Sequence, residues 1–267
     1  MDDADALERD AAGIGALADP VRRQLYEFVC AQPGLVSRDQ AADAVGIPHH
    51  QAKFHLDRLT AEGLLESDYA RLTGRSGPGA GRTSKLYRRA RRDIAVSLPQ
   101  REYELAGRLM ATAIARSAGT GEPVAEILNR VAREYGHSIG ATDILGSTPP
   151  APPKDAAAAL ERAVRVLRRY GYEPRFSDSE VELANCPFHA LAQEQTELAC
   201  NMNHALITGV ADALAPHGPH ARLCPGRERC CVVLSPRDAD KVAERLASGP
   251  TCASGTAIPR RPYTSRR

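Results

Sequence analysis

A chain of 267 residues is long enough for two modest domains, each with a core of its own. With 43% hydrophobic residues and a net charge of only +2, the composition is that of an ordinary soluble protein, and no run of 18 apolar residues is present to span a membrane. The start, MDDADALERDAAG, is acidic and lacks the apolar core of a secretory signal, so a cytoplasmic protein with reduced thiols is expected.

Residues 1–13 read as a flexible acidic arm, and residues 14–92 as the first domain. Asp19-Pro20 opens a helix on which Val21, Leu25, Phe28 and Val29 form one apolar stripe. Ser37 caps a short helix running to about Val45 and stopped by Gly46. Pro48 restarts the chain into a third helix through about Glu62, ended by Gly63. Two short helices around a glycine-containing turn form a helix-turn-helix pattern. GLLESDYARL and TSKLYRR follow as two strands around a tip rich in Gly, Ser and Arg, the shape of a wing.

The faces of the third helix follow from a rotation of about 100° per residue. Ala52, His55, Leu56 and Leu59 fall together and should point inward. His49, His50, Gln51, Lys53 and Phe54 lie outward near the helix start, where a recognition helix meets base edges, with Arg58 further along. Gln51 suits a bidentate contact to adenine, and Lys53 a guanine or a phosphate. Charge agrees: residues 1–70 hold six basic and thirteen acidic side chains, whereas residues 71–92 hold eight basic and no acidic ones. Arg75, Arg82 and Lys85 in that stretch are expected to meet phosphate or a groove of double-stranded DNA. On these motifs, and on the HLDRLTAEGLL run from His55 to Leu65, residues 16–90 resemble the winged-helix DNA-binding domain of ArsR-like bacterial repressors.

Residues 97–148 read as a helical linker or dimerisation region. One helix runs from Pro99 to about Ser117, with Ala106, Leu109, Met110, Ala113 and Ile114 on one side. Val124, Ile127, Leu128, Val131, Ala132 and Tyr135 stripe the next. The pattern fits helices packed on a second copy and equally helices packed within the monomer; DNA geometry favours a homodimer, because two copies would read half-sites about one helical turn (~34 Å) apart. GSTPPAPP makes a stiff linker. Residues 154–248 form the remaining α+β domain. It comprises a helix over 155–170, strands at YEPRFS and EVELAN, cysteine-bearing helices, strands at ARLCPG and CCVVLS, and a helix over 236–247. Residues 249–267 read as a disordered tail.

Seven cysteines in a reducing compartment point to metal or redox chemistry. Cys30 and Cys252 are expected to be small packed or solvated residues. Cys186 opens NCPFH, and Pro187 suits the first turn of a helix, which puts Cys186 at the N-cap, where free amides favour a thiolate. A single straight helix would separate Cys186 from Cys200, fourteen positions on, by about 21 Å. A shared centre therefore requires a break, expected at Gln193–Thr196, with Thr196 as a cap. Leu198, Met202, Ala205 and Leu206 form the core stripe beyond it, and Cys200 lies off that stripe. Cys230 and Cys231 sit in a strand, so only one of them should face a given site. His189 and His204 are candidate ligands alongside the thiols.

The run from Gly171 through Cys186 and Cys200 to CCVVL resembles the effector domain of SufR-type repressors, winged-helix proteins that bind an iron–sulfur cluster. That domain is related to 4-vinyl-reductase-like ligand-binding domains. The resemblance implies cluster ligation by Cys186, Cys200 and one of Cys230 or Cys231. The Cys186–Cys200 gap is slightly long for the family, and the last cysteine is doubled. Iron–sulfur and zinc suit thiolates equally by spacing. The sequence is thus read as a cytoplasmic, homodimeric DNA-binding regulator, a repressor that senses through a cysteine-ligated cluster. Winged-helix control through structural zinc or thiol oxidation is the alternative. With no paired carboxylates, nucleophile triad or phosphate loop, an enzyme is not expected.

Overall fold

The structure, a computed structural model, describes residues 3–70, 83–142, 151–177, 180–226 and 229–237, with side chains from residue 7 onward. It divides into two compact units, Met1–Val96 and Ser97–Arg267.

The first unit opens with α1 (Asp3–Ala16). The flexible arm expected over 1–13 is therefore a helix from Asp3 on. Its Ala, Leu, Glu and Arg residues lose little conformational freedom in a helix. It is also tied down: Ala16 is buried, Asp10 pairs with Arg92, and Gly13 lets the helix approach Ile94 where a Cβ would stand 2.9 Å from Cδ1. The next helix, α2 (Pro20–Ala31), starts as expected, with the Asp19 carboxylate accepting from Arg22 N at 2.9 Å. The two-residue strand β1 (Val36–Ser37) leads into α3 (Arg38–Val45). Ser37 and Gln40 form a reciprocal capping box, and Gly46 ends the helix at φ 72°. The next helix, α4 (His49–Ala61), buries Ala52, His55, Leu56 and Leu59, the four residues expected inward. Gly63, at φ 71°, turns the chain into β2 (Leu65–Ala70), which pairs antiparallel with β3 (Ser84–Arg89) in register Leu65↔Arg89 through Ala70↔Ser84. Sheet order is β1-β3-β2, and the core gathers around Leu25, Val29, Leu56, Leu59, Leu65 and Tyr87.

The second unit holds α5 (Tyr103–Thr120), α6 (Val124–Ala141), α7 (Ala156–Arg169), β4 (Pro174–Ser177), β5 (Glu180–Leu183), α8 (His189–Glu194), α9 (Thr196–Asp212), β6 (His220–Leu223) and β7 (Val232–Ser235). Its strands make one antiparallel sheet in the order β4-β5-β7-β6. The helix expected from Pro99 begins four residues later, because residues 100–102 bond instead to the loop around Cys186: Glu102 N donates to Pro187 O at 3.2 Å. Ile114, expected on the packed stripe of α5, is exposed.

Within residues 97–148, read as a helical linker or dimerisation region, α5 and α6 share one hydrophobic core with α7, α9 and the sheet. Small residues explain it. A Cβ on Gly136 would lie 1.9 Å from Leu206 O, and one on Gly209 would lie 2.1 Å from Arg133 O, so α6 and α9 touch backbone to backbone. The packed face of α6 accordingly continues past Tyr135 to Gly136, Ile139 and Gly140. Among the described residues no helix is long and apolar enough to cross a membrane. The linker at 146–150, nearly all of the helix expected over 236–247, and the tail over 249–267 lie outside the described residues.

Candidate functional site

Two groups of side chains carry chemistry, one in each unit. In the second unit the construction starts at the end of β5. Residues 184–188 form a loop held from within by Asn185, whose Nδ2 donates to Gly171 O at 2.5 Å and to Gln100 O at 3.1 Å. Arg101 Nη1 donates to Asn185 Oδ1 at 2.8 Å and to Cys186 O at 2.6 Å, placing a guanidinium against the backbone of Cys186. The expected N-cap role passes from Cys186 to Phe188, because the helix begins only at His189. The chain then breaks where anticipated, at Gln195 (φ −129°, ψ 64°) between α8 and α9. Thr196 does not cap α9; its hydroxyl donates back to Ala192 O at 2.7 Å and ties the two helices together. This break turns Cys200, in the first turn of α9, back toward Cys186.

Four thiols meet there. Cys186 lies against Cys230, Cys230 against Cys231, and Cys231 against Cys200. The expectation that only one of Cys230 and Cys231 reaches the site rested on strand alternation. β7 starts only at Val232, so the pair occupies irregular backbone, with Cys230 N donating to Leu183 O at 2.8 Å, and alternation does not apply. Both thiols are buried and both join the group. Hydrogen bonding to Cys230, together with burial, pushes the Cys186 thiol far up. Cys186 pulls Cys230 down, but its bond to Cys231 and burial prevail, and the thiol is pushed up to about 12. The bond to Cys200 does the same for Cys231, also to about 12, while Cys231 lowers Cys200.

The thiols form a chain of contacts, not a shell. Among the described residues no group of three or more His, Cys, Asp or Glu side chains surrounds a common point as a ready metal site. His189 Nε2 lies 3.0 Å from Gln193 Nε2, and His204 Nε2 lies 3.2 Å from Ala221 O, so neither ring is directed at the sulfurs through that nitrogen. Cys224 is not a free thiol, and its sulfur accepts from Arg229 at 3.3 Å. Cys30 sits in α2, in the other unit, beside Tyr26. Sequence reasoning missed Arg101, Asn185, Tyr172 and Asn203. For Asn203 a signal existed: the period of α9 places it among Ala199, Met202, Leu206 and Ile207, all buried.

In the first unit, His50, Lys53 and Phe54 are exposed on the outer face of α4 with Gln51 partly so, as anticipated. The side chains of His50, Gln51 and Lys53 make no hydrogen bond or ion pair among the described residues. Others are engaged within the fold. His49 places Nδ1 2.9 Å from Asp39 and Nε2 3.4 Å from Asp43, Arg58 pairs with Glu62 at 2.6 Å, and Lys85 pairs with Asp57 at 2.6 Å. Arg38 and then His49 hold the Asp39 carboxyl below its usual range. Burial and the Asp57 carboxylate push the Tyr87 phenol up. The basic stretch is likewise partly neutralised, with Arg88 on Glu66 and Arg92 on Asp10. Arg75 and Arg82 lie outside the described residues.

Residues 17–68, spanning α2 through most of β2, match a family model described as a helix-turn-helix domain. No curated protein and no solved structure matches the chain. With α4 presenting uncommitted polar side chains beyond a two-helix turn, the match and the geometry agree: the chain carries an N-terminal helix-turn-helix domain, the mark of a DNA-binding regulator.

Proposed function

We propose that this protein is a homodimeric, ArsR-like winged-helix repressor whose C-terminal unit, of the SufR type, holds an iron–sulfur cluster on Cys186, Cys200, Cys230 and Cys231. The observation that carries the reading is the convergence of four cysteines from the β5–α8 loop, the start of α9 and the entry to β7. Their donor chemistry fits the group. Four soft sulfurs suit iron–sulfur or zinc. When bound, a cluster supplies a redox- and iron-responsive link between these sulfurs. Without it, the neighbouring thiols together with burial hold Cys186, Cys230 and Cys231 above the usual thiol range.

The chain's own residues provide the lever. Cys200 lies in the first turn of α9, and α9 meets α6 at Gly136 and Gly209 with no side chain between them. A change at the sulfurs that shifts α9 must carry α6 with it, because touching backbones cannot absorb movement by side-chain repacking. Exposed Ile114 on α5 leaves an apolar position available to a second copy. On the DNA, Gln51 and Lys53 are base-edge readers, and Phe54 offers its ring to a thymine methyl group. Lys85, paired with Asp57, fixes the wing against the recognition helix.

The test is anaerobic purification of the full chain with iron, sulfide and zinc analysis, followed by DNA binding with and without the bound group. Iron with stoichiometric sulfide and a DNA affinity that changes ~5–150-fold on cluster loss are expected, the scale of 1–3 kcal/mol common for allosteric coupling. Colourless protein with stoichiometric zinc would transfer the site to the structural-zinc reading. Metal-free protein that binds DNA identically after thiol oxidation would end the sensing half altogether.

A further inference from the structure

Asn203 is 1% exposed and Tyr172 2% exposed, and they lie side by side beneath the thiols. An amide on the packed face of α9, among alanine, methionine and leucine, is costly unless each end is hydrogen-bonded, and leucine would fill the space without that cost. Both ends are met. The Tyr172 hydroxyl donates to Asn203 Oδ1, and Asn203 Nδ2 stands 3.1 Å from Cys230 Sγ and 4.0 Å from Cys231 Sγ. Which end of an amide points where is fixed by its partners. A phenol that donates to the carbonyl end turns the N–H end toward sulfur. This arrangement aims a donor at an accepting sulfur, the role a cysteine has once its proton has given way to a metal.

We infer that Asn203 is a positioning residue for the cysteine centre. Its N–H group hydrogen-bonds the Cys230 thiolate, and Tyr172 sets the sense of the amide. The inference rests on the reading of a cysteine-ligated group given above and adds an uneven distribution of donors within it. Cys230 receives a side-chain N–H at 3.1 Å, while the guanidinium of Arg101 serves the opposite end, at the Cys186 backbone. An N–H donor draws charge from a thiolate sulfur, so the Asn203 amide favours the ligating form of Cys230. Outer partners of this kind typically change metal affinity ~10–100-fold.

The experiment is anaerobic titration of the full chain with Co2+ alone, followed through its thiolate-to-cobalt charge-transfer absorption. The central variant is Tyr172→Phe with Asn203→Leu. Removing both polar partners for apolar groups of similar shape leaves no orphaned buried group and is close to neutral for folding. Wild type should develop the charge-transfer band. The double variant should keep its helical circular dichroism, bind Co2+ ~10–100-fold more weakly, and show the band at longer wavelength, since sulfur lone pairs rise in energy when the N–H is lost. Tyr172→Phe alone, which keeps the ring and the packing, should move the band in the same direction by less. If wild type shows the band and both variants match it in position and affinity, the role of Asn203 is refuted while the centre stands. If wild type shows no band, the cysteine-ligated centre fails, and the inference fails with it.

Discussion

The two units put their polar side chains to different uses. In the first, Asp19 and Ser37 sit at helix starts and satisfy backbone amides three residues on. In the second, Asn185 and Asn203 are buried far along the chain from their partners, on Gly171, Gln100, Tyr172 and Cys230. A capping side chain is complete once its own helix forms. An interior amide is complete only when distant segments arrive, and in the second unit those segments carry the four thiols. The first unit is therefore a finished object before any partner binds, with its uncommitted groups turned outward on α4. The second is finished around neighbouring sulfurs, one of which accepts from Asn203.

Leu56→Ala gives the largest expected effect on this contrast. Leu56 is fully buried between α4 and the rest of the first core. Truncation there should cost about 2–5 kcal/mol, the range for buried leucines. Amide hydrogen exchange should show lost protection in α2, α3 and α4 and none in α9. Equal loss in α9 would mean that the two units unfold as one body, and the contrast between them would collapse.

Gly136→Ala should come next, at about 1–3 kcal/mol, the usual cost of forcing extra volume into a packed interior. The added Cβ would fall 1.9 Å from Leu206 O, so α6 and α9 must separate. Protection should fall in α6 and α9, Co2+ affinity should fall with it because α9 carries Cys200, and the helices of the first unit should be untouched. Retained cobalt affinity alongside lost protection would show that the α6–α9 contact is not coupled to the sulfurs.

What the sequence made readable follows the same division. The stripe of Ala52, His55, Leu56 and Leu59, the stop at Gly46 and the pairing of the two wing strands are local signals, and each is present in the fold. The break between Cys186 and Cys200 was also legible, because length alone forbade an unbroken helix. The joint use of Cys230 and Cys231 was not, since it depends on β7 starting one residue beyond them. Asn203 was hidden differently: its place on the packed face could be counted, but its partners lie 31 residues before it and 27 after it. The helix at 3–16 is masked by its acidic composition, and Arg92, its ion-pair partner, lies 82 residues from Asp10.

Ser37→Ala is the finest probe, at about 1 kcal/mol, the typical loss on replacing an N-cap serine by alanine. Ser37 works in two elements at once. It pairs with Leu86 in the sheet, and its Oγ accepts from Gln40 N at 3.2 Å while its own N–H donates to Gln40 Oε1 at 2.9 Å. Alanine keeps the sheet pairing and the bond from its N–H but orphans the Gln40 amide, so the damage should be confined to the first turn of α3. Glycine at the same position, which leaves that amide open to water, should cost only a few tenths of a kcal/mol relative to serine. Denaturant unfolding of both variants separates the possibilities. If alanine and glycine lose stability equally, the box does not hold the helix start, and the strand pairing with Leu86 holds it in its place.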